Sequence, residues 1–334
     1  MDIRVIIIGA GPIGVGVARE IAARPFLSLV GIVDTDAGKV GRTIEGVLVT
    51  AEPPRLVTAD GPIVAVVTTT SSLAKLERTA LDCISRGWHV VSTCEELAWP
   101  WKSGEECDDI AHRLDIAATS QRVSVLGTGV NPGFLMDALP LALTAPCRSV
   151  ERVCVARVQD ASMRRRPFQD KVGVGMAKEF VEPRLRAGLM GHVGLQQSAR
   201  MIAARLGFAI DSFREEAAVV LADVEVSAAG RLVRVGEVAG VEQVGRALQS
   251  GAVKVELFFR AIFGEREPCD RIVIVGEPSL DVSIKGGVPG DSATCAIVAN
   301  AIAVLVLARP GLRTMSDVPL VACYGQSSSS RPRP

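Results

Sequence analysis

The first 130 residues alternate between short apolar runs and amphipathic stretches. In "IRVIIIGAGPIGVGVAREIAA" an apolar segment passes through glycines into Ile13, Val17 and Ile21 at helical spacing, which predicts strand, turn and helix. An amphipathic helix is predicted from Leu73 to Ser85. Further buried strands are predicted in "LSLVGIVDTD", "PIVAVVTTTSS", "GWHVVSTCEE" and "RVSVLGTGVNPGF". Apolar strands separated by helices predict a doubly wound parallel sheet within an α/β fold.

The pattern changes after Pro146. Longer, partly alternating strands are expected in "CRSVERVCVARVQD", "EEAAVVLADVEVSAAGRLVRVGEVAG", "AVKVELFFRAIFG" and "DRIVIVGEPSLDVSIKGG", with helices at about 177–189 and 195–206. These elements predict an α+β C-terminal domain with an open mixed sheet. We expect a first domain over 1–132, a second over 133–288, a helix over 289–324 that returns to the first domain, and a disordered tail over 325–334.

Composition excludes several function classes. Lys plus Arg and Asp plus Glu both number 37 among 334 residues, so no net charge attracts nucleic acid or an anionic membrane. Eight scattered cysteines form no C-x-x-C pair, which argues against a zinc site or a disulfide framework. No apolar run is long enough to span a bilayer, and the N-terminus lacks a signal-peptide layout. We therefore expect a cytoplasmic protein without a metal, acting on small molecules.

A glycine loop follows the first predicted strand. "GAGPIG" places Gly9, Gly11 and Gly14 in a G-x-G-x-x-G pattern, with Pro12 and Ile13 between the last two glycines. Such a loop turns tightly, lets the backbone approach a pyrophosphate, and directs the amides of the following helix at the anion. Because the motif lies between a strand and a helix, it predicts a Rossmann site for a dinucleotide.

An acidic residue ends the second predicted strand. A carboxylate at Asp34 accepts hydrogen bonds from ribose hydroxyls and repels a 2′-phosphate, which favours NAD. Lys39 and Arg42 follow and could reach a 2′-phosphate, although both are also suited to a solvated loop. The predicted cofactor is NADH or NADPH, with NAD favoured.

Two further segments lie at the carboxyl ends of strands. Thr68, Thr69 and Thr70 could bond ribose or phosphate, or cap the following helix. The loop "GTGVNPGF" contains Asn131 and ends at Phe134, and we expect it beside the nicotinamide or as a hinge between domains.

The segment "VVSTCEELAWPW" places two carboxylates at the end of the fourth predicted strand. Glu95 and Glu96 follow Cys94, which we assign to the cofactor edge, and precede Trp99 and Trp101. We expect one glutamate to point inward and the other outward or into a helix cap. The alternative is that both are exposed caps, and the tryptophans either form a pocket wall or only anchor the loop.

Several long blocks resemble one family. "STCEELAWPW", "GTGVNPGFLMDALPLAL", "VARVQDASMRRRPFQDKVGVGM", "GHVGLQQSARMIAARLGF" and "GGVPGDSATCAIVANAI" look like the 2,4-diaminopentanoate dehydrogenases and the related NAD(P)H-dependent amine dehydrogenases. The architecture is more distantly similar to dihydrodipicolinate reductase. The resemblance implies reductive amination of a small ketone or aldehyde with ammonia, and its reverse, in a homodimer. It also implies a catalytic carboxylate, with Glu95 favoured over Glu96 by alignment with homoserine dehydrogenases.

The other possible functions are 2,4-diaminopentanoate oxidation itself, a homoserine dehydrogenase-like amino-acid oxidoreductase, and a non-catalytic dinucleotide-binding regulator. A glutamate where homoserine dehydrogenases carry lysine counts against the second of these.

The sequence indicates the substrate-binding residues less clearly than the cofactor-binding ones. A diamino acid needs charged partners, which "QDASMRRRPFQDK" offers, whereas simple ketones need apolar walls. The expected pocket residues are Trp99, Phe134, Met163, Phe168 and His192. His192 could instead cap the helix that begins near Leu195. By resemblance Asn300 is a candidate for the nicotinamide carboxamide or ribose, and the alternative is a buried helix asparagine.

Overall fold

The computed structural model describes residues 2–56, 61–101 and 104–323. The tail predicted to be disordered, 325–334, lies outside the described residues. The described chain divides into two compact units: unit 1 comprises Met1–Phe134 and Ser292–Pro334, and unit 2 comprises Leu135–Asp291. None of the described helices is long and apolar enough to cross a membrane.

Unit 1 is built on an eight-stranded sheet. With strands numbered along the whole chain, it contains β1 Ile3–Ile8, β2 Leu27–Val33, β3 Thr43–Ile44, β4 Val47–Thr50, β5 Ile63–Val67, β6 His89–Ser92, β7 Ser124–Gly127 and β16 Gly311–Arg313. The spatial order is β16-β7-β6-β5-β1-β2-β4-β3, and every pairing is parallel except that of β3 with β4. All five residues of β5 are buried, as expected for a central strand covered on both faces.

The helices of unit 1 connect these strands. They are α1 Pro12–Ala22, α2 Leu73–Ser85, α3 Glu105–Ser120 and most of α8 Gly290–Leu305. In α2 the residues Leu73, Leu76, Ala80, Cys83 and Ile84 are buried on one stripe, which matches the predicted amphipathic helix. The sequence-based description did not include α3 or the edge strand β16.

Unit 2 contains a six-stranded sheet of order β15-β14-β8-β13-β12-β9 and a two-stranded β10-β11 ribbon. The strands are β8 Ser149–Asp160, β9 Ser212–Leu221, β10 Val226–Ala228, β11 Arg231–Val233, β12 Val238–Gln249, β13 Ala252–Ile262, β14 Cys269–Glu277 and β15 Leu280–Lys285. The β8–β13 pair is parallel and the others are antiparallel, so the sheet is mixed. Together the two sheets confirm the predicted fold class.

One face of this sheet carries the core of unit 2. The helices are α4 Ala138–Leu143, α5 Arg166–Lys171, α6 Lys178–Arg186 and α7 Leu195–Leu206. Leu195, Ala199 and Ile202 of α7 share a core with Val155 of β8 and Leu257 of β13. Because side chains alternate along a strand, the residues between these positions point to the other face.

Candidate functional site

The glycine loop has the geometry expected of a pyrophosphate-binding turn. Gly9 adopts φ +106°, a conformation that L side chains rarely adopt. A Cβ on Gly14 would lie 1.9 Å from the Gly9 carbonyl oxygen, so α1 packs directly on the turn. A Cβ on Gly11 would meet nothing within 4 Å, so the backbone there is open to close approach. The loop and the N-terminus of α1 therefore fit a dinucleotide pyrophosphate.

Asp34 lies directly after β2 and is tied to this loop. Its Oδ2 accepts hydrogen bonds from the Ala10 amide at 2.7 Å and from Lys39 Nζ at 3.0 Å, and its Oδ1 accepts from the Asp36 amide at 2.9 Å. Burial raises the pKa of Asp34, but the hydrogen bonds from Asp36, Lys39 and Ala10 outweigh it and hold the pKa below its ordinary value. The carboxylate is therefore ionised and is partly compensated by the Lys39 ammonium. Arg42 is exposed.

The three threonines after β5 make different contacts. The Thr68 hydroxyl donates to the Gly9 carbonyl at 2.9 Å, so it supports the glycine turn. The Thr70 hydroxyl accepts from the Ser72 amide at 3.1 Å. Thr69 is exposed at the same edge of the sheet, and its contact with ribose or phosphate stays a prediction.

The two carboxylates begin a short 3-10 helix, Glu95–Ala98, that lies against β7. A Cβ on Gly127 would lie 2.5 Å from the backbone carbon of Leu97, so only glycine lets this helix approach the strand. Glu96 Oε2 accepts a hydrogen bond from the Leu73 amide at 2.6 Å and thereby caps α2. Glu96 thus has a capping role, and the catalytic role assigned to Glu95 stays a prediction. Both lie after β6, at the sheet edge that also carries the glycine loop.

Cys94 does not suit the cofactor role assigned from the sequence. It is 1% exposed, and its Sγ donates to the Ser71 carbonyl at 3.1 Å. Burial raises the pKa of this thiol to about 12. The side chain therefore belongs to the core, and the assignment is corrected accordingly.

The second glycine loop is folded against the start of α8. A Cβ on Gly133 would lie 2.4 Å from the Gly129 nitrogen, which shows how tightly the loop turns. The Val130 amide donates to Thr294 Oγ1 at 3.2 Å. Thr128 is 2% exposed, and its hydroxyl has no hydrogen-bond partner among the described residues.

Within that loop, Asn131 and Phe134 are half-buried, and their assigned roles beside the nicotinamide and substrate stay predictions. Thr128 and Thr294 were not singled out from the sequence as residues of this loop's surroundings. The only signal for Thr128 was its position at the carboxyl end of a predicted strand.

Asn300 lies away from the glycine loop. Its Oδ1 accepts hydrogen bonds from Arg24 Nε at 3.2 Å and Nη2 at 2.8 Å, and Arg24 follows the C-terminal end of α1. The thiol of Cys295, one to two turns earlier in α8, instead lies near the N-terminal turn of α1, 3.6 Å from the Ile13 carbonyl. Asn300 is therefore a buried helix asparagine, and its assignment to the nicotinamide is wrong.

Trp99 and Trp101 pack edge to face, with ring centroids 5.2 Å apart at 71°. They line a pocket of about 600 Å³ together with residues of α3 and the β16 segment, among them His112, Asp115 and Asp317. Neither glutamate is among its described lining residues. The indole pair therefore forms a wall of this pocket, and its assignment to the substrate site stays a prediction.

Two of the predicted substrate residues in unit 2 have different environments. Met163 is 82% exposed at the end of the 3-10 helix Ala161–Met163, and its assignment as a pocket wall stays a prediction. Phe168 packs against the core of unit 2, with the Arg164 guanidinium 3.9 Å above its ring.

His192 is half-buried in unit 2 and is held by contacts with two residues. Its ring stacks on Phe259 at 4.6 Å. The side chain of Gln243 accepts from the His192 amide at 2.5 Å and donates to its carbonyl at 3.0 Å. Burial lowers the pKa of His192 well below its ordinary value, and nearby Lys171 adds to the effect. Gly194 is the N-cap of α7, and the substrate role of His192 and its alternative capping role both stay predictions.

Two of the three consecutive arginines after β8 form ion pairs with Asp291. Arg164 donates to Asp291 Oδ1 at 3.0 Å and to Gln159 Oε1 at 2.7 Å, and Arg165 donates to Asp291 Oδ1 at 3.2 Å. Burial raises the pKa of Asp291, but these arginines outweigh it and lower the pKa below its ordinary value. Arg164 and Arg165 therefore anchor the first turn of α8. Within the described residues, no group of three or more His, Cys, Asp or Glu side chains could hold a metal ion.

Unit 1 is thus a dinucleotide-binding domain of the Rossmann class, joined to an α+β unit with a mixed sheet. The family model for the 2,4-diaminopentanoate dehydrogenase C-terminal domain matches residues 134–331. The chain therefore belongs to the 2,4-diaminopentanoate dehydrogenase family.

Known proteins agree with this membership. The chain is 29% identical over 335 residues to the 2,4-diaminopentanoate dehydrogenase of Acetoanaerobium sticklandii, covering 95% of this chain and 94% of the relative. Its fold is similar to that of the amine dehydrogenase from Mycobacterium smegmatis, with a TM-score of 0.82, 21% identity and 98% of both chains covered. Dihydrodipicolinate reductase from Paenisporosarcina sp. TG-14 is a more distant fold match, with a TM-score of 0.50, 13% identity, and 93% of this chain and 97% of that chain covered.

Proposed function

We propose that this chain is an NAD(P)-dependent amine dehydrogenase that aminates a small ketone or aldehyde with ammonia and catalyses the reverse deamination. Family membership supports the reaction class. The single observation that carries the site assignment is the position of Glu95, which begins the 3-10 helix after β6 at the sheet edge that also carries the glycine loop. The neighbouring Glu96 caps α2 through the Leu73 amide.

Glu95 has two tasks in this proposal. As a carboxylate it stabilises the cationic iminium formed from the carbonyl carbon and ammonia. As an acid it protonates the carbinolamine hydroxyl so that the oxygen leaves as water, and it recovers a proton from the incoming ammonium. When bound, the nicotinamide supplies hydride for amination or takes it for deamination.

The cofactor would be held by the glycine loop and Asp34. Open backbone at Gly11 suits the pyrophosphate, and the ionised Asp34 carboxylate suits ribose hydroxyls, which favours NAD. Because Lys39 lies 3.0 Å from Asp34, its ammonium reduces the repulsion of a 2′-phosphate and makes NADPH a usable second cofactor.

A homodimer in the cytoplasm is part of the proposal. Ala156 and Val158 of β8 and Phe258 of β13 are half-exposed on the sheet face opposite the core of unit 2, and a second copy would cover them. Light scattering should give a molar mass in solution of twice the chain mass. In Phe258→Lys this measured mass should fall toward that of one chain. A monomeric wild-type protein would exclude this part.

The reaction is tested with NADH, a high ammonium concentration and a panel of small ketones and aldehydes. Absorbance at 340 nm should fall only when ammonium is present, and Glu95→Gln should abolish the change while NADH still binds. Glu96→Gln is the matched control: it should weaken the cap of α2 and lower the melting temperature, yet retain most turnover.

Other outcomes are equally informative. Loss of NADH without ammonium would identify a ketoreductase. Full activity in Glu95→Gln would reject Glu95 as the catalytic group.

A further inference from the structure

The segment 92–96, which carries both glutamates, is fastened at every second residue to the chain that leads from β5 into α2. The thiol of Cys94 and the carboxylate of Glu96 make two of these contacts. The third is made by Ser92, the last residue of β6, whose Oγ donates to the Val67 carbonyl at 2.9 Å. These contacts lie at the sheet edge that also carries the glycine loop, so the segment is held along its length beside that loop.

The Ser92 hydroxyl joins two backbone groups. Besides donating to Val67, its Oγ accepts a hydrogen bond from the Cys94 amide at 3.1 Å. The Val67 carbonyl has a second donor in the Thr93 amide at 3.2 Å, whereas within the described residues the Cys94 amide bonds to Ser92 Oγ alone. Removal of the hydroxyl would therefore leave the Cys94 N–H, in a residue 1% exposed, without an acceptor, which is costly.

The Cys94 amide matters because Glu95 is the next residue. The Cys94 carbonyl accepts from the Leu97 amide at 3.1 Å, at the start of the 3-10 helix. Cys94 is thus held at both its N–H and its C=O, and the chain enters Glu95 in one direction. If the N–H lost its acceptor, the peptide would rotate toward another one and would displace Glu95, while the ladder of β6 stayed in place.

We propose that Ser92 is a positioning residue for Glu95. Its hydroxyl fixes the Cys94 peptide and thereby sets where the Glu95 carboxylate stands. Ser92 itself is 0% exposed, so neither cofactor nor substrate touches it, and any effect on turnover passes through the segment. This inference rests on the proposed function, in which Glu95 handles the iminium and its protons.

The test measures kcat, KM and NADH affinity with the carbonyl compound that the wild type aminates fastest. Ser92→Ala should lower kcat by about 30-fold, because a catalytic group displaced by about 1 Å loses up to about 100-fold in rate. KM for the carbonyl and Kd for NADH should stay within about twofold, since a change limited to the transition state leaves ground-state binding unaltered. Ser92→Thr keeps the oxygen and should bring kcat back to within about threefold of wild type.

Ser124→Ala is the matched control. Ser124 is equally buried, but it is the first residue of β7, at the opposite edge of the sheet, and its Oγ donates to the Arg309 carbonyl at 3.1 Å. Its loss should lower the melting temperature and leave kcat unchanged. Should Ser92→Ala not fold, Ser92→Cys takes its place, because a thiol has nearly the same shape and is a weak acceptor.

Four results would overturn the inference. The first is a wild-type kcat in Ser92→Ala, and the second is an equal loss of kcat in Ser124→Ala. The third is a loss of NADH affinity as large as the loss of kcat, which would mean that Ser92 holds the cofactor edge. The fourth is a Ser92→Thr protein that melts like the wild type and is as slow as Ser92→Ala, which would assign the loss to packing.

Glu95→Gln separates this inference from the proposed function. If Glu95→Gln keeps its rate, or if the wild type aminates no compound of the panel, the proposed function fails. If Glu95→Gln is inactive and Ser92→Ala is fully active, only the positioning role fails.

Hydrogen exchange of the Cys94 amide, followed by NMR, needs no turnover. Exchange should be slow in the wild type and in Ser124→Ala, and at least about tenfold faster in Ser92→Ala. Equal exchange in Ser92→Ala and the wild type would overturn the anchoring of the Cys94 peptide.

Discussion

The glycine loop of unit 1 and the ion pairs of unit 2 are built from different materials. The loop consists of backbone: a φ of +106° at Gly9, an approach that only glycine permits at Gly14, and an open amide edge at Gly11. The ion pairs consist of side chains from distant parts of the sequence, such as Arg164 and Asp291, which are 127 positions apart.

This difference separates what is general in the molecule from what is particular. A backbone cradle binds a pyrophosphate whatever the substrate, because every dinucleotide offers the same group. A side-chain cluster is changed by one substitution, so it can differ between relatives that share the cradle. We therefore expect substitutions in the loop to affect cofactor binding for every substrate, and substitutions in the ion pairs to affect the stability of unit 2.

The largest effect is expected when one methyl group is added to the glycine loop. In Gly14→Ala the new Cβ would overlap the Gly9 carbonyl at 1.9 Å, so the turn must open. Opening the turn should cost about 3 kcal/mol of binding free energy, so NADH affinity should fall ~100-fold. The melting temperature should fall as well, because α1 no longer packs on the turn. Fluorescence titration of NADH and thermal unfolding measure the two effects.

Gly11→Ala is the matched control for that experiment. Its Cβ meets no atom of the chain within 4 Å, so the melting temperature should stay unchanged while NADH affinity still falls by about tenfold. If Gly11→Ala binds NADH normally, the pyrophosphate does not approach this edge of the loop.

An intermediate effect is expected at Asp291, whose ion pairs with Arg164 and Arg165 lie within unit 2. Asp291 has a folded-state pKa below its ordinary 3.8, so its ion pairs stabilise the fold above about pH 4 and are lost as the pH falls through the folded value. Asp291→Asn should cost about 2 kcal/mol at pH 7, and the difference from wild type should shrink toward pH 3. Chemical denaturation across this range measures it.

The exposed carboxylate of Asp223 provides the comparison. Asp223→Asn should change the unfolding free energy by less than about 0.5 kcal/mol. A cost for Asp291→Asn that does not vary with pH would show that its charge is not what stabilises α8.

The smallest effect is expected at Lys39, which lies beside Asp34 in unit 1. Lys39→Met should raise KM for NADPH by about fivefold and leave NADH within twofold, since a single half-exposed ammonium contributes little. Arg42→Met, an exposed neighbour, should shift neither cofactor. Equal weakening of both cofactors in Lys39→Met would mean that Lys39 serves only to hold Asp34.

The elements predicted correctly from the sequence are those whose signal is local. The glycine loop, the Leu73–Ser85 helix and the Leu195–Leu206 helix follow from turn chemistry and apolar spacing over a few residues. A capping role for one of the two glutamates was also expected. That Glu96 takes this role depends on its contact with the Leu73 amide, which is 23 positions away, and the catalytic role of Glu95 stays a prediction.

A prediction was wrong where a tertiary contact decides. Asn300 was assigned to the nicotinamide by resemblance, but the packing of α8 along α1 puts it beside Arg24. Met163 was assigned for its apolar side chain and is 82% exposed, so its place in a pocket wall stays a prediction. The burial of Arg157 in unit 2 had a signal that was overlooked: in "VCVARVQ" it shares its strand parity with the buried Val153 and Val155.

Gly127 carries a practical consequence for altering this protein. Because the Glu95–Ala98 helix rests on the backbone of β7 at Gly127, the position of the carboxylate pair depends on an interior strand of the sheet. Random libraries that vary position 127 would displace both carboxylates at once and mostly return inactive clones. Substrate scope is better broadened at other positions, with position 127 left untouched as part of the scaffold.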